Sequence, residues 1–255
     1  MNDRHPGAPR ANTLLITGAG RGIGAATALA AARRGRDVVL NYVRDEHAAQ
    51  SVAASIRALG RQAFIIQADV GRSEDIRRMF DWIDAEVGPL DGLINNAGIT
   101  GPIGSFTDTT DSTIEHVFRV NVLGALQCAR EALANFRRHG VSGVIVNVSS
   151  VAARTGSPGE YVHYAASKAA LEAFTLGLAK EVAAEGIRVC GLAPGSTLTE
   201  IHATAGEPGR PARIAPKIPM GRLAEPAEIA EAIVWLASPA ASYVTGTTLA
   251  CAGGL

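Results

Sequence analysis

The chain has 255 residues, of which 47% are hydrophobic and 28 are glycine, and this length and composition predict a globular protein with a sizeable core. Lysine and arginine total 24 and balance 24 aspartate and glutamate, so no charge excess indicates binding to nucleic acid or to an anionic membrane. The three cysteines, which are far apart in the sequence, argue against a disulfide framework and a zinc site, and no metal is predicted.

The first residues, 1–11, are polar and contain proline and glycine, so they are predicted to be a loose tail before a single domain at 12–255. They contain no apolar run that could form the core of a signal peptide. Nowhere does the sequence reach the roughly 18 consecutive apolar residues of a membrane span. The sequence therefore predicts a protein of the reducing cytoplasm.

Short apolar segments rich in β-branched residues alternate with longer alanine-rich segments of helical period, a pattern typical of stacked βαβ units. Continuous apolar character predicts strands buried on both faces of a parallel sheet. The predicted fold class is α/β, a three-layer, Rossmann-type doubly wound parallel sheet of about seven strands with helices on both faces. The predicted strands are 13–17, 38–42, 62–67, 92–96, 143–149, 188–193 and 247–251. The predicted helices are 23–34, 47–59, 73–87, 114–139, 161–185 and 226–236.

A glycine-rich turn, TGAGRGIG at 17–24, joins the first predicted strand to the first predicted helix. Helix N-terminal amides attract anions, and glycines let a phosphate approach the backbone. The spacing is G-x-x-x-G-x-G rather than G-x-G-x-x-G, yet the context favours a dinucleotide phosphate site over a tight turn without a ligand. The residues of the turn assigned to the cofactor are Gly18, Gly20, Arg21, Gly22, Ile23 and Gly24.

The end of the second predicted strand lacks the acidic residue that would bond the ribose 2′-hydroxyl of NAD. Asn41 and Tyr42 stand there instead, and both are assigned to the cofactor site. Arg21 and Arg44 are positioned to pair with a 2′-phosphate, unless they are ordinary solvated surface arginines. The sequence therefore predicts NADP(H) in preference to NAD(H).

Tyr164 and Lys168 lie four residues apart near the start of a predicted helix, so they share one helix face. A neighbouring ammonium stabilises phenolate and lowers the pKa of a tyrosine from its ordinary value near 10. With a positively charged nicotinamide beside them, a pKa of about 7 requires roughly 4 kcal/mol of differential stabilisation. Tyr164 is thus a candidate general acid or base. Taken alone, the same spacing also fits a surface pair with no catalytic role.

Several further motifs lie at the carboxyl ends of predicted strands, where doubly wound sheets bind ligands. They are Asp69-Val70, NNAG at 95–98, NVSS at 147–150, and Pro194-Gly195 with Thr199; two more motifs, NVLG from Asn121 and YAASK at 164–168, lie in predicted helices. Together with the glycine-rich turn, their order and spacing resemble those of the short-chain dehydrogenase/reductase family, over essentially the whole chain after the tail. The resemblance implies an NADP(H)-dependent oxidoreductase that moves a hydride between nicotinamide and a ketone or secondary alcohol.

The resemblance also implies a role for each matched residue. Ser150 would polarise the substrate carbonyl, and Tyr164 would be the acid or base. Lys168 would hold the nicotinamide ribose, and Asn121 would anchor a water in a proton relay. The other implied cofactor contacts are Asp69 and Val70 at the adenine, Asn96, Ala97 and Gly98 after the fourth strand, and Pro194, Gly195, Thr197 and Thr199 at the nicotinamide.

The resemblance leaves the substrate open beyond a small carbonyl or alcohol. An NAD-linked sugar or polyol dehydrogenase is the alternative enzyme, and a non-catalytic dinucleotide-binding regulator is the alternative of another class. The proline- and glycine-rich segment 199–223 is predicted to be a loop or short helices, and the resemblance makes it the substrate loop. A homotetramer is also implied, with contacts through the predicted helices 114–139 and 161–185.

Overall fold

The computed structural model describes residues 11–255, so the predicted tail at 1–11 lies outside the described residues except for Ala11. Seven strands form one sheet in the order β3-β2-β1-β4-β5-β6-β7, and all neighbouring pairs are parallel. This arrangement confirms the predicted doubly wound α/β fold. The strands are β1 (Thr13–Ile16), β2 (Asp37–Tyr42), β3 (Ala63–Gln67), β4 (Gly92–Asn95), β5 (Val144–Val148), β6 (Arg188–Pro194) and β7 (Thr248–Cys251).

Helices cover both faces of the sheet, and four of the six predicted helices begin and end within one residue of their predicted limits. The helices are α1 (Gly22–Arg33), α2 (Glu46–Ala58), α3 (Ser73–Glu86), α4 (Asp111–Phe118), α5 (Ala125–His139), α6 (Ala152–Thr155), α7 (Val162–Val182), α8 (Ile201–Thr204), α9 (Arg210–Ile214) and α10 (Pro226–Leu236). Within residues 11–255, none of these helices is long and apolar enough to cross a membrane.

The predicted helix at 114–139 begins three residues earlier in the structure, at Asp111, and is not continuous. It is divided into α4 and α5 by a π-helical turn, Arg119–Gly124, in which the backbone hydrogen bonds span one residue more than in an α-helix. The predicted loop 199–223 contains α8, α9 and a short 3₁₀ turn at Ala215–Lys217. Both differences lie next to the carboxyl edge of the sheet.

Successive side chains of each strand point to opposite faces of the sheet, so the core has two halves, one on each face. Leu14 and Ile16 pack with residues of α1, α2 and α10, whereas Leu15 between them packs on the opposite face with residues of α3, α5 and α7. All three side chains are fully buried, as expected for a strand with helices on both sides. The sheet is therefore the middle of three layers.

The strand order reverses at β1, which pairs with β2 on one side and with β4 on the other. In open parallel sheets, the crevice outside the carboxyl ends at such a point is where ligands bind. The segments that leave β1 and β4 are fastened together there, because Thr17 Oγ1 accepts hydrogen bonds from the backbone N–H groups of Asn96 and Ala97, both at 3.0 Å. The fold thus brings the glycine-rich turn and the NNAG segment to one place.

Candidate active site

The glycine-rich turn between β1 and α1 has a backbone that only glycine adopts easily. Gly18 and Gly22 have φ angles of +63° and +54°, in the left-handed region. At Gly24 the constraint is close packing, because an added Cβ would overlap the carbonyl oxygen of Gly18 and lie 2.6 Å from Asn96 Nδ2. The turn therefore exposes the first amides of α1 to the crevice, which is the geometry of a phosphate site.

Two asparagines hold this turn from beneath. Asn96 Nδ2 donates to the carbonyl oxygens of Thr17 at 2.9 Å and Gly18 at 3.1 Å. Asn41 Oδ1 accepts from the Gly18 N–H at 3.3 Å, and its Nδ2 donates to the Ala68 carbonyl at 2.9 Å. Asn41 is fully buried, so the structure places it under the turn, with its amide engaged by the backbone. The side chain of Asn96 is likewise engaged with the turn.

The end of β2, where the sequence predicts the 2′-phosphate site, is exposed at Arg44. Sequence reasoning missed two carboxylates beside it: Asp45 caps α2 by accepting from the Ala48 N–H at 2.9 Å, and Glu46 Oε1 accepts from Gln50 Nε2 at 3.3 Å. Burial, followed by the charge and hydrogen bond of Glu46, raises the pKa of the Tyr42 phenol. Each of these two acids is engaged within the chain.

Arg21 extends from the glycine-rich turn towards the segment after β6. Its Nη1 lies 2.7 Å from Glu200 Oε2, and both side chains are about two-thirds exposed at 65% and 67%. Exposed ion pairs of this kind contribute about 0–1 kcal/mol to stability. The Arg21 guanidinium can therefore leave Glu200 and bind another anion at little cost. Arg21 is therefore available to a phosphate at the rim of the crevice.

The residues predicted near the adenine form a tight turn after β3. Asp69 Oδ1 accepts from the Gly71 N–H at 2.8 Å, and Val70 is almost completely buried. An added Cβ on Gly124 would lie 2.5 Å from the Val70 carbonyl oxygen. The π-helical turn thus packs directly against the backbone of this predicted adenine segment.

Ser150, Tyr164 and Lys168 line one cleft of about 330 Å³ at the carboxyl edge of the sheet. Ser150 follows β5, while Tyr164 and Lys168 stand on the first two turns of α7. Ser150 Oγ accepts from the Ala152 N–H at 3.1 Å, and Lys168 Nζ lies 5.7 Å from the centroid of the Tyr164 ring. The structure therefore brings three of the four predicted catalytic residues into contact with the same space.

The protonation of this trio is governed by burial. Burial raises the pKa of the Tyr164 phenol, against the lowering by the Ser150 hydrogen bond and by the charge of Arg210. Burial also lowers the pKa of Lys168 to about 8. Its Nζ donates to the Val148 carbonyl at 2.8 Å. The sequence predicts a tyrosine pKa lowered by lysine; in the protein alone, desolvation outweighs that effect, because it penalises the phenolate.

Asn121, the fourth predicted catalytic residue, is buried in the π-helical turn. Its Oδ1 accepts from the Ile99 N–H at 2.9 Å, and its Nδ2 donates to the Ile99 carbonyl at 2.8 Å and to Ser167 Oγ at 3.0 Å. A Cβ added to Gly98 would lie 3.3 Å from both Asn121 Oδ1 and Lys168 Nζ. Asn121 and Lys168 therefore border the same small space beside Gly98.

The segment predicted to shape the nicotinamide site closes the cleft from β6. Gly195 is pressed against the backbone of Ala252, since a Cβ would lie 2.8 Å from its Cα. Thr197 Oγ1 donates to the Gly195 carbonyl at 3.0 Å. Thr199 faces the glycine-rich turn, where a Cβ on Gly22 would lie 3.2 Å from its Cγ2. Pro194, Gly195, Thr197, Thr199 and Ile23 all line the cleft, so the end of the glycine-rich turn and the predicted nicotinamide segment border the same space as Tyr164.

Sequence reasoning missed a polar wall at the far side of the cleft, formed by Glu160, Tyr161, His202, Arg210 and Arg213. The residues come from the segment before α7 and from α8 and α9. Arg210 donates to Glu160 Oε2 through Nε at 3.2 Å and Nη2 at 2.5 Å. Its guanidinium lies 5.3 Å from the Tyr161 ring centroid, and that ring stands edge-on to Tyr164 at 5.2 Å. The proline and glycine content of segment 199–223 does not predict this arrangement.

Comparisons with known proteins extend these observations. Residues 18–255 match the family model described as enoyl-(acyl carrier protein) reductase. The chain is 49% identical to the uncharacterized oxidoreductase YgfF of Escherichia coli (strain K12), covering 94% of this chain and 98% of that protein. It is 37% identical to L-rhamnose 1-dehydrogenase (NAD(P)(+)) of Sphingomonas sp. (strain SKA58), covering 95% of each. The crystal structure of a short chain dehydrogenase from Burkholderia cenocepacia in complex with NADP superposes with a TM-score of 0.87 at 33% identity, covering 94% of this chain and 96% of that one.

Proposed function

Because the chain belongs to the short-chain dehydrogenase/reductase family, we propose that it moves a hydride between NADP(H) and a ketone or secondary alcohol, with Tyr164 as general acid or base. The observation that carries the proposal is that Ser150, Tyr164 and Lys168 line one cleft at the carboxyl edge of the sheet, with Lys168 Nζ at 5.7 Å from the tyrosine ring. The chain is an oxidoreductase acting on CH–OH or ketone groups, which favours an enzyme over a non-catalytic regulator.

The roles of the chain's own residues follow from their positions. Burial keeps the Tyr164 phenol protonated at neutral pH, so Tyr164 is ready to donate a proton to a carbonyl oxygen during reduction. Ser150 aims a second hydroxyl at the same oxygen and stabilises the charge that develops there. Lys168 is held by the Val148 carbonyl at 2.8 Å, and together with Asn121 it provides a route by which a proton returns to Tyr164. The dinucleotide, when bound, supplies or accepts the hydride.

The preference for NADP(H) is supported by two arginines at the expected end of the crevice. Arg21 is held only by an exposed ion pair, and Arg44 is exposed beyond β2. The relatives include a dehydrogenase named for both NAD and NADP and a structure with NADP. We expect kcat/KM to be higher with NADPH than with NADH. A clear preference for NADH would refute this part of the proposal.

A homotetramer, a cytoplasmic location and a single domain over 12–255 are further proposals. One sheet contains strands from residue 13 to residue 251, which supports the single domain. The exposed apolar side chains Leu123 and Leu176, on the π-helical turn and on α7, support subunit contacts through those segments. Sedimentation of a stable monomer would refute the tetramer.

The test of the proposed chemistry is Tyr164→Phe, which removes the phenol oxygen and keeps the ring. We expect turnover of a ketone with NADPH to fall at least about a hundredfold, the usual minimum contribution of general acid catalysis. Affinity for NADPH, followed by fluorescence titration, should stay within about twofold, because the loss lies in the chemical step. Tyr243→Phe is the control, since Tyr243 is fully exposed. Turnover by Tyr164→Phe close to that of the unchanged protein would refute the role of Tyr164.

A further inference from the structure

Hydrogen bonds connect the charged and imidazole side chains of the polar wall of the cleft. The wall is made of Glu160, Tyr161, His202, Arg210 and Arg213. His202 Nε2 donates to the Thr197 carbonyl at 2.9 Å, so its Nδ1 is the acceptor for Arg210 Nη1 at 3.3 Å. Glu160 accepts from Arg210 on Oε2 and from Arg213 on Oε1, the latter at 2.8 Å. Burial lowers the pKa of His202, which agrees with its neutral form. The wall is therefore already ordered before any substrate arrives.

The burial of these charged and polar side chains costs free energy, which indicates that they have a function in the cleft. Arg210 is 7% exposed and His202 is 6% exposed, although both line a cleft that substrates must enter. Ion pairs withdrawn from water seldom add net stability compared with apolar residues of similar size. The loop that carries Arg210 also carries Ile214 and Ile218, which form an apolar cluster of their own. A purely structural anchor for this loop has no need of a guanidinium facing the cleft.

The charges of the wall are balanced. Glu160 neutralises Arg210, and Glu207 accepts from Arg213 through both carboxylate oxygens at 2.6 and 2.7 Å. An approaching carboxylate would meet Glu160 beside the guanidinium. An apolar ring or acyl chain would strip water from the pair and return no hydrogen bond. A neutral hydroxyl suits both groups, because it donates to a carboxylate oxygen and accepts from a guanidinium N–H.

Resting on the proposed function, we propose that the Arg210–Glu160 pair is a subsite for a hydroxyl of the substrate remote from the reacting carbon, so that the cleft takes polyhydroxylated compounds. Two successive ring contacts, 5.3 Å from Arg210 to Tyr161 and 5.2 Å from Tyr161 to Tyr164, separate the subsite from the acid or base. A hydroxyl bound at the subsite therefore lies several bonds from the carbonyl that Tyr164 would protonate. The substrate would thus be anchored at both ends of the cleft.

The test compares ring ketones that differ in one group: cyclohexanone, 4-hydroxycyclohexanone and 4-oxocyclohexane-1-carboxylate, each reduced with NADPH. We expect kcat/KM for the hydroxyketone to exceed that for cyclohexanone at least tenfold, the usual value of a hydrogen bond to a charged group. In the double variant Arg210→Met/Glu160→Gln, which leaves no unpaired charge behind, the ratio should fall to within about twofold of one. Arg210→Lys, which keeps the charge and loses the planar fork, should give an intermediate ratio.

Arg222→Met is the matched control, because Arg222 pairs with both oxygens of Glu228 at 2.7 Å outside the cleft. It should keep the ratio of the unchanged protein. An NADPH titration of each variant shows that the dinucleotide site is still folded. A ratio near one in the unchanged protein, or a high ratio that survives the double variant, would overturn the subsite. A preference for the carboxylate compound would overturn it in favour of an anionic substrate, with the exposed Lys217 of the cleft as its partner. Failure to reduce any of the three ketones would instead count against the proposed function.

Discussion

Lys168→Met should make the protein inactive and more stable at neutral pH. The lysine is 3% exposed, and burial lowers its pKa from 10.5 to about 8. One pKa unit corresponds to about 1.36 kcal/mol. Burial of the ammonium therefore costs about 3 kcal/mol at any pH at which Lys168 is charged in both the folded and the unfolded protein. Methionine fills nearly the same volume without a charge. The substitution therefore removes a cost that the folded protein bears only for the sake of the site.

Part of that gain is lost with the hydrogen bond from Lys168 Nζ to the Val148 carbonyl at 2.8 Å. Leaving a buried acceptor unsatisfied costs about 1–3 kcal/mol. The free energy of unfolding of the variant at pH 7 should accordingly be about 0–2 kcal/mol above that of the unchanged protein. A destabilised variant at pH 7 would mean that the ammonium is well solvated in the folded state.

The pH dependence gives the sharper measurement. Between pH 8 and 10.5 the unfolded chain holds the Lys168 proton and the folded chain releases it, so the stability of the unchanged protein rises with pH across this window. The stability that the unchanged protein loses by burying Lys168 falls from about 3 kcal/mol at pH 7 to about 1 kcal/mol at pH 10. The advantage of the methionine variant should shrink by about 2 kcal/mol over the same interval.

The assay is urea unfolding followed by the fluorescence of the two tryptophans, at pH 7 and pH 10, without nucleotide and at one protein concentration. Lys180→Met is the control, because Lys180 is exposed on the same helix. Its effect should stay within about 0.5 kcal/mol at both pH values. A stability difference for Lys168→Met that is the same at pH 7 and pH 10 would refute the reasoning.

Three further results are expected. Gly24→Ala should lower the free energy of unfolding by about 1–3 kcal/mol, because its Cβ overlaps the turn, while Gly20→Ala, whose Cβ meets nothing within 3.7 Å, should change it by less than about 0.5 kcal/mol; equal effects would contradict the packing argument. Arg21→Ala with Arg44→Ala should raise KM for NADPH at least tenfold more than KM for NADH, as loss of charge-assisted hydrogen bonds predicts; an equal rise for both would place the 2′-phosphate elsewhere. Ser150→Ala should lower kcat about 10²–10³-fold with little change in NADPH affinity, and unchanged turnover would remove Ser150 from the chemistry.

Local patterns were enough to predict the sheet. Apolar runs such as 13–17 and 143–149 mark strands because a strand buried on both faces has few positions for a polar side chain. Glycine spacing predicts the turn at 17–24 for a similar reason, since left-handed φ angles and close packing leave no choice of residue. In each case the signal lies within one short segment of the sequence.

What could not be predicted depends on contacts between distant segments. Arg210 and Glu160 are 50 residues apart, and no periodicity relates them. Asn41 looks like a ligand of the cofactor when it is considered as the end of a strand, yet its amide is turned inward to Gly18 and Ala68. The hydrophobic periodicity of the sequence also does not reveal the π-helical turn. Gly124 is the one local indication, because the turn packs closely against the backbone of Val70 at this glycine.

The π-helical turn Arg119–Gly124 fixes the number of residues between two anchors. On its near side, Val117 of α4 packs in the cluster that contains Tyr164; on its far side, Cys128 of α5 packs against the sheet. An α-helix advances about 100° per residue. The π-helical turn accommodates one residue more than an α-helix would, so the deletion of one residue here would restore an ordinary helix and leave the two anchors in place. The addition of one residue, or the loss of two, would rotate one anchor by about 100° relative to the other. This part of the chain therefore tolerates a single change of length, and that change removes the turn that holds Asn121 against Ile99.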